Sequence, residues 1–233
     1  MVFIVGHRGD PVHEPENTLR GIIRAFKVGA DAVEIDVRLS KDNVPVVIHD
    51  ETVDRTSNGH GYVRKMTLNQ LKKLDFGKGE RIPTLEEALE IVREMKGKII
   101  VEIKEEGFES KVIEALGEKE IIKHSIITSF NFDIIKKVKE LNPKITVGAI
   151  FGGKFKGNIL KVASNIGVDF VVPKYTLVTS EIVNKVHEND LKIAVWTVDN
   201  PNDMIKFKNM KVDCIVTNDP ELAVKTLKNK NQV

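Results

Sequence analysis

Hydrophobic and polar positions along the chain follow two alternating patterns. Short runs rich in valine and isoleucine are typical of buried β-strands. Longer stretches in which apolar residues recur every three or four positions are typical of amphipathic helices. Eight runs of the first kind are predicted strands: Phe3–Val5, Ala32–Val37, Ile99–Ile103, Ser125–Ser129, Thr146–Ile150, Asp169–Pro173, Lys192–Thr197 and Asp213–Val216. Each is followed by a predicted helix: Leu19–Val28, Leu85–Met95, Phe108–Leu116, Phe132–Leu141, Ile159–Ile166, Glu181–Asn189, Asn202–Lys208 and Glu221–Leu227.

Helix start signals support this segmentation. Thr84 and Glu87 form a capping-box pattern, and Asn200-Pro201 and Asp219-Pro220 place proline just after an N-cap residue. Because eight strand–helix units follow one another without a break in composition, we expect a single α/β domain over residues 1–233, a closed (β/α)₈ TIM barrel. The structural alternative is a doubly wound open sheet. It is less favoured because no Gly-x-Gly-x-x-Gly turn follows the first strand.

One segment interrupts the alternation between the second strand and its helix. An apolar run at Val44–Ile48 predicts a return strand, and an insertion at about residues 51–83 carries turn residues and a short amphipathic helix, Leu68–Leu74. Loops that follow barrel strands lie at the C-terminal face, where barrel enzymes form their sites. We therefore expect the insertion to form a small lid over this rim.

The hairpin between the second strand and its return has a predicted register. Asp42-Asn43 suits a two-residue turn, in which Lys41 faces Val44. Counting back along the two strands then places His49 opposite Asp36. This register brings a titratable imidazole beside a strand carboxylate.

Three carboxylates are predicted to point into the barrel. Strand side chains alternate between faces, so Glu34 and Asp36 share one face. Glu102 repeats the pattern on the third barrel strand. The alternative for Glu102 is an ordinary surface ion pair with Lys104 at the rim. The two strands together favour a divalent cation, Mg²⁺ or Ca²⁺, held by Glu34, Asp36 and Glu102.

Further polar residues are predicted at the barrel mouth. His7 and Arg8 end the first strand between two glycines, where histidine can move a proton and arginine can bind a phosphate. Taken alone, such a histidine is more often a satisfied hydrogen-bonding residue. Trp196 lies near the end of the seventh strand, and core packing is as favoured as contact with the apolar part of a substrate. The histidines given a structural interpretation are His13, His60, His124 and His187.

Composition excludes several classes of protein. The formal net charge is +2, from 36 Lys and Arg against 34 Asp and Glu, so neither nucleic acid nor a stable membrane association is expected. Cys214 is the single cysteine, so no intrachain disulfide is possible. No apolar stretch approaches the roughly 20 residues that span a bilayer. The N-terminal residues lack the pattern of a secretion signal, so a cytoplasmic location is expected.

A series of short motifs follows in order over nearly the whole chain. They are His7-Arg8-Gly9, Pro15–Thr18, Glu34-x-Asp36-Val37, Ser40–Asp42, His49-Asp50, Asp54–Gly59, Ile82–Glu87, Glu102–Lys104 and Trp196–Val198. This series resembles that of the glycerophosphodiester phosphodiesterases. The resemblance implies a (β/α)₈ barrel with an insertion after the second strand, in agreement with the segmentation above.

The resemblance also implies roles for individual residues. Glu34, Asp36 and Glu102 match the family's metal ligands. His7 and His49 match its catalytic pair. Arg8 and Lys104 match its phosphate-contacting residues. One position departs in a minor way from the family's pattern: Asn218 stands where many relatives carry aspartate. It is expected to leave the metal and histidine assignments unchanged.

The implied reaction is metal-dependent hydrolysis of a small-molecule glycerophosphodiester, such as glycerophosphocholine or glycerophosphoethanolamine, to glycerol 3-phosphate and an alcohol. A first alternative is a lipid phosphodiesterase of the lysophospholipase D type, disfavoured by the 6% aromatic content and the lack of a basic amphipathic helix. A second is a barrel that binds phosphodiesters without cleaving them. The preferred alcohol, the metal, the order of base and acid, the nucleophile and the oligomeric state stay open.

Overall fold

The computed structural model describes residues 2–228. In this part of the chain the strands are β1 (Phe3–Gly6), β2 (Ala32–Leu39), β3 (Pro45–Val47), β4 (Lys98–Ile103), β5 (Ser125–Ser129), β6 (Val147–Phe151), β7 (Phe170–Pro173), β8 (Lys192–Val195) and β9 (Cys214–Thr217). The α-helices are α1 (Leu19–Lys27), α2 (Leu68–Leu71), α3 (Leu85–Glu94), α4 (Glu109–Glu118), α5 (Phe132–Leu141), α6 (Ile159–Ile166), α7 (Ser180–Glu188), α8 (Pro201–Asn209) and α9 (Pro220–Leu227).

Eight of these strands close into a barrel. The parallel pairings run from β2 through β4 to β9, and β1 pairs in parallel with both β9 and β2, which completes the ring. The predicted (β/α)₈ barrel is confirmed. The remaining strand, β3, lies outside the ring and pairs antiparallel with the end of β2.

Apolar side chains fill both faces of the barrel wall. Outward residues such as Ile35 and Val101 pack with the helices in one large core, whereas Val5 and Phe170 belong to a smaller cluster inside the ring. Along β2 the inward positions change from Ala32 to carboxylates toward the C-terminal end. The polar side chains of the interior therefore collect at that end, as expected for a barrel enzyme.

The segment between β3 and α3 has an apolar cluster of its own. Its helix α2 begins at the predicted residue but ends at Leu71, three residues earlier than predicted. The cluster also includes residues of the return strand, so the segment packs onto the hairpin. Its buried members are Val46, Ile48, Val53, Val63, Leu71, Phe76 and Ile82.

The predicted register of the β2–β3 hairpin is wrong by one residue. Val37 pairs with Val47, and the N–H of Ile48 donates to the carbonyl of Asp36, so Ile48 and not His49 lies opposite Asp36. The loop has three residues, because Asn43 adopts a left-handed conformation (φ 60°) after a turn closed on the Ser40 carbonyl. His49 consequently follows β3 in the loop instead of lying in the ladder.

Candidate active site

Three carboxylates meet at the C-terminal end of β2 and β4. Asp36 and Glu102 are direct neighbours across the two strands, and Glu34 lies two residues earlier on the same face. Each offers an oxygen within 4.8 Å of the others, and all three residues are buried. Glu34 Oε1 is buried without a hydrogen-bond partner, and Asp36 Oδ1 makes no hydrogen bond although the Lys104 ammonium lies 3.3 Å away. Buried carboxylate oxygens with unused lone pairs fit a hard divalent cation.

Burial and mutual repulsion change the pKa values of these acids. Burial, followed by the charges of Asp36 and Glu102, raises the pKa of Glu34 well above its usual value. Burial, then the charge of Asp36, raises the pKa of Glu102 to about 7. Burial also acts to raise the pKa of Asp36, but Lys104 and Arg8 outweigh it and the net shift is downward. The cluster therefore resists full ionisation unless further positive charge is supplied.

A divalent cation is expected to raise the Tm of the protein more at pH 8 than at pH 5. The raised pKa values mean that the folded state holds the protons of Glu34 and Glu102 more tightly than the unfolded state, so their contribution to stability falls as the pH rises from about 4.5 through about 7. Above this range a bound cation offsets the negative charge that Glu34 and Glu102 gain when they lose their protons. Below it, protons compete with the cation for these carboxylates. Thermal unfolding in chelator, Mg²⁺ or Ca²⁺ at both pH values measures this. Equal shifts at the two pH values would contradict the metal assignment.

Two cationic side chains lie against the carboxylates. Arg8 Nε is 3.1 Å from Asp36 Oδ2, and Arg8 Nη1 donates to Glu16 Oε1 at 2.9 Å. Lys104 Nζ lies 3.3 Å from Asp36 Oδ1 and 2.5 Å from Glu102 Oε1. The ion pair between Glu102 and Lys104 does form, but its side chains are 11% and 10% exposed, so it belongs to the site and not to the surface.

His7 is held by the turn that follows β1. Gly9 has φ 88°, and a Cβ there would lie 2.6 Å from the backbone of Gly21, so this position requires glycine. His7 Nδ1 lies 2.7 Å from Asn218 Oδ1, and Asn218 Nδ2 donates to Asp199 at 2.8 Å. Because the amide nitrogen is engaged by Asp199, its oxygen accepts from Nδ1–H of His7. The Nε2 atom of His7 then carries the free lone pair.

His49 is held in a similar way by a carboxylate. Its Nδ1 lies 2.6 Å from Asp50 Oδ1, which leaves Nε2 as its second proton site. The pKa of His49 is lowered, first by burial, although Asp36 and Asp50 act to raise it. The pKa of His7 is also lowered, by burial and then by Arg8. Burial thus favours neutral imidazoles at both positions.

The two histidines, both cations and two of the carboxylates line one cavity of about 140 Å³. The rest of its wall is mostly apolar. Trp196 in this wall donates its Nε1–H to the carbonyl of Val172 at 2.9 Å, and its ring meets Phe130 edge to face at 5.6 Å between centroids. The residues that line the cavity are His7, Arg8, Glu34, His49, Ile100, Glu102, Lys104, Thr128, Phe130, Ile150, Val172, Trp196 and Val216.

Three residues of the site could not be assigned from the sequence. Asn17 donates to Asp36 Oδ2 at 2.9 Å, while the neighbouring Thr18 caps α1. Phe130 follows β5 without any polar signal. Asn218, noted as a minor departure, contacts His7 directly. The motif Pro15–Thr18 was a signal for Asn17, but nothing in the sequence alone placed the other two.

Replacing Asn218 by alanine is expected to lower kcat about fivefold. The change leaves Nδ1 of His7 without its acceptor and frees the imidazole to change tautomer, and such a hydrogen bond contributes roughly 1 kcal/mol. Steady-state kinetics measure the effect, and thermal unfolding shows whether the fold is intact. An unchanged kcat in a stable variant would mean that the Asn218 contact does not position His7.

The remaining histidines lie away from this cavity. His13 contacts Asp10, His60 contacts Asp54, and His187 in α7 contacts Asp213.

Of the helices in residues 2–228, none is both long and apolar enough to cross a membrane.

Comparison with known proteins places the chain in a family. The model of the glycerophosphoryl diester phosphodiesterase family matches residues 7–222. A glycerophosphodiester phosphodiesterase of Caldanaerobacter subterraneus subsp. tengcongensis is 37% identical, over 95% of this chain and 96% of that protein. The solved structure of an Oleispira antarctica phosphodiesterase in complex with the product sn-glycerol-3-phosphate has a TM-score of 0.88 at 27% identity, covering 97% of both chains. A glycerophosphodiester phosphodiesterase from Agrobacterium tumefaciens has a TM-score of 0.87 at 27% identity, covering 97% of this chain and 100% of that one. The chain therefore belongs to the glycerophosphoryl diester phosphodiesterase family, which confirms the resemblance in its motifs and the prediction that it is a phosphodiesterase enzyme.

Proposed function

We propose that the chain hydrolyses glycerophosphodiesters, such as glycerophosphocholine and glycerophosphoethanolamine, to sn-glycerol 3-phosphate and an alcohol, and that it depends on Mg²⁺ or Ca²⁺. The observation that carries this proposal is the cavity in which buried carboxylates, two cationic side chains and two histidines meet. The product bound to the Oleispira antarctica relative supports the same reaction.

Charge explains why a cation is needed. A phosphodiester is an anion, and the ionised carboxylates alone would repel it. Glu34, Asp36 and Glu102 would hold the cation, while Arg8 and Lys104 contact the phosphate oxygens. When bound, the divalent cation supplies Lewis-acid stabilisation of the negative charge on those oxygens. With the cation, the summed charge of the three ionised carboxylates, Arg8 and Lys104 changes from negative to positive, which favours both binding and the more negative transition state.

The histidines move the protons. Because Nδ1 of each ring is held by a hydrogen-bond acceptor, proton exchange occurs at Nε2 of His7 and Nε2 of His49. One Nε2 accepts the proton of the attacking hydroxyl group as the new P–O bond forms. The other, which carries a proton on each ring nitrogen at this step, donates its Nε2 proton to the alcohol oxygen as the old P–O bond breaks. Each such transfer typically contributes about 10²–10⁴-fold to the rate. The pair is assigned jointly, since either order satisfies the geometry.

The attacking oxygen belongs to water or to the neighbouring hydroxyl of the glycerol itself. Water gives glycerol 3-phosphate in one step. The glycerol hydroxyl gives a cyclic phosphate and the free alcohol first, and water then opens the ring. Phosphorus NMR of a single-turnover reaction distinguishes the two routes by the presence of the cyclic intermediate.

The aromatic wall has a role in substrate binding. Trp196 and Phe130 line the same cavity as Glu34 and Glu102, and their rings can cover the CH₂ and CH groups of the glycerol while its phosphate lies at the polar side. The hydrogen bond from Trp196 to Val172 fixes the ring plane for this contact.

A second candidate function is cleavage of a lysophospholipid or another lipid phosphodiester. The observation that favours it is exposed aromatic surface at the mouth. Phe130 is 46% exposed and Tyr175 is 38% exposed, and both adjoin Trp196. This surface could contact an acyl chain or a micelle.

One set of assays separates the two functions. The release of sn-glycerol 3-phosphate from glycerophosphocholine is compared with the release of choline from micellar lysophosphatidylcholine at equal substrate concentration. Faster turnover of the water-soluble diester supports the proposal. Turnover confined to the micellar substrate would replace it with the lipid reaction.

A further inference from the structure

A single arginine of the insertion joins two acidic residues at the rim of the site. Arg55 Nε donates to Asp50 Oδ2 at 2.6 Å, and its Nη2 donates to Asp50 Oδ1 at 3.1 Å. Its Nη1 and Nη2 also donate to the two oxygens of Glu16, both at 2.7 Å. The guanidinium is therefore bidentate toward both carboxylates, a geometry that lysine cannot reproduce.

Each of these carboxylates holds one residue of the site. Glu16 accepts a hydrogen bond from Arg8 at 2.9 Å, and Asp50 lies 2.6 Å from Nδ1 of His49. A continuous chain of contacts thus runs from Arg8 through Glu16, Arg55 and Asp50 to His49. It connects the loop after β1 with the loop after β3, which are separate in sequence and carry different parts of the chemistry.

Electrostatics supports this arrangement. The hydrogen bond from Arg55 is the largest cause that lowers the pKa of Asp50. For Glu16, burial acts to raise the pKa, but the bond from Arg55 and the charge of Arg8 outweigh it, so this pKa is lowered too. Both carboxylates are thereby kept as acceptors. An ionised Asp50 accepts from Nδ1–H of His49 and keeps Nε2 available.

Stability alone does not account for such a network. The Arg55 side chain is 48% exposed, and exposed ion pairs typically contribute about 0–1 kcal/mol. The four hydrogen bonds instead fix orientation. We propose that Arg55 is a positioning residue for the reaction, which through Glu16 and Asp50 orients Arg8 and His49 together. This inference rests on the proposed function, in which His49 moves a proton and Arg8 binds the phosphate.

Arg55→Gln is expected to lower kcat for glycerophosphocholine about 10- to 100-fold while KM changes less, because the proton transfer at His49 loses its geometry. Arg64→Gln is the matched control. Arg64 is an exposed arginine of the same insertion that donates to the Ser40 carbonyl and to Asn43, away from the cavity. Arg55→Lys keeps the positive charge but cannot form the bidentate hydrogen bonds to Asp50 and Glu16, so it is expected to recover little of the lost kcat.

A double-mutant cycle tests whether the effect passes through Asp50. In an Asp50→Asn background the further loss from Arg55→Gln is expected to be smaller, because the part that passes through Asp50 to His49 is already lost and only the contact through Glu16 to Arg8 remains. A kcat for Arg55→Gln equal to that of Arg64→Gln, or an Arg55 effect that adds fully to Asp50→Asn, would overturn the inference.

A measurement that needs no turnover separates this inference from the proposed function. Nitrogen-15 NMR of the histidine rings is expected to show neutral His49 with its proton on Nδ1 in the wild-type protein and a mixture of tautomers in Arg55→Gln and Arg55→Lys. An unchanged His49 tautomer in both variants would overturn the positioning role. Failure of the wild-type protein to cleave glycerophosphocholine would instead count against the proposed function alone.

Discussion

Replacing His49 or His7 by alanine is expected to lower kcat by about 10²–10⁴-fold, with KM changed far less. Each ring lines the cavity and has Nδ1 held by an acceptor, Asp50 for His49 and Asn218 for His7, so each loss removes one proton transfer and leaves the phosphate contacts in place. Initial rates of glycerol 3-phosphate release measure the effect.

His60→Ala is the matched control for the histidine variants. His60 also contacts a carboxylate, that of Asp54, but its side chain is 87% exposed and it lies in the insertion away from the cavity. Its replacement is expected to leave kcat within about twofold of wild type, in line with other exposed positions. Turnover close to normal in either His7→Ala or His49→Ala would contradict the assignment of these two histidines as the acid–base pair.

Replacing Glu102 by glutamine is expected to lower turnover by about 10²–10³-fold, the size of other electrostatic contributions to a transition state. Glutamine keeps the shape of the side chain but removes one negative ligand, so the affinity for a divalent cation falls. The same variant is expected to be more stable than wild type in chelator at pH 8. Ionised Glu102 is unfavourable there, since burial and Asp36 raise its pKa to about 7.

The difference in Tm between Glu102→Gln and the wild-type protein in chelator is expected to depend on pH, and low pH serves as the control. Below about pH 4.5 wild-type Glu102 is protonated in both the folded and the unfolded state, so Tm of the two proteins should nearly coincide. Their difference should grow as the pH rises through about 7. Thermal unfolding in chelator, with kcat measured at saturating Mg²⁺ and Ca²⁺, checks both parts. A Glu102→Gln variant that is less stable at pH 8, or that keeps normal turnover, would contradict the assignment of Glu102 as a ligand.

The fold was predictable because local chemistry repeats along this chain. Buried runs of valine and isoleucine mark the strands, and Thr84 with Glu87 forms the expected capping box at α3. The twofold alternation of strand side chains was enough to place Glu34 and Asp36 on one face. The parallel pairing of β2 with β4 then placed Glu102 beside Asp36.

What the sequence could not predict depends on loop conformation and on long-range contacts. The hairpin register failed because an asparagine can occupy several turn positions, and the left-handed conformation of Asn43 lengthens the loop by one residue. Asn218 contacts His7 across 211 residues, and Arg55 contacts Glu16 across 39. Such pairs are set by barrel closure and by the packing of the insertion, and neither can be deduced from local pattern.

The need for a cation held by Glu34, Asp36 and Glu102 is tested by measuring the release of sn-glycerol 3-phosphate from glycerophosphocholine in chelator and again after addition of Mg²⁺ or Ca²⁺. We expect negligible product in chelator, recovery of turnover with at least one of the two cations, and a recovered rate about 10²–10³-fold below that of wild type in Glu34→Gln or Glu102→Gln. Full turnover in chelator would contradict a reaction that depends on a cation held by these residues. Recovery in the two carboxylate variants equal to that of the wild-type protein would contradict it as well.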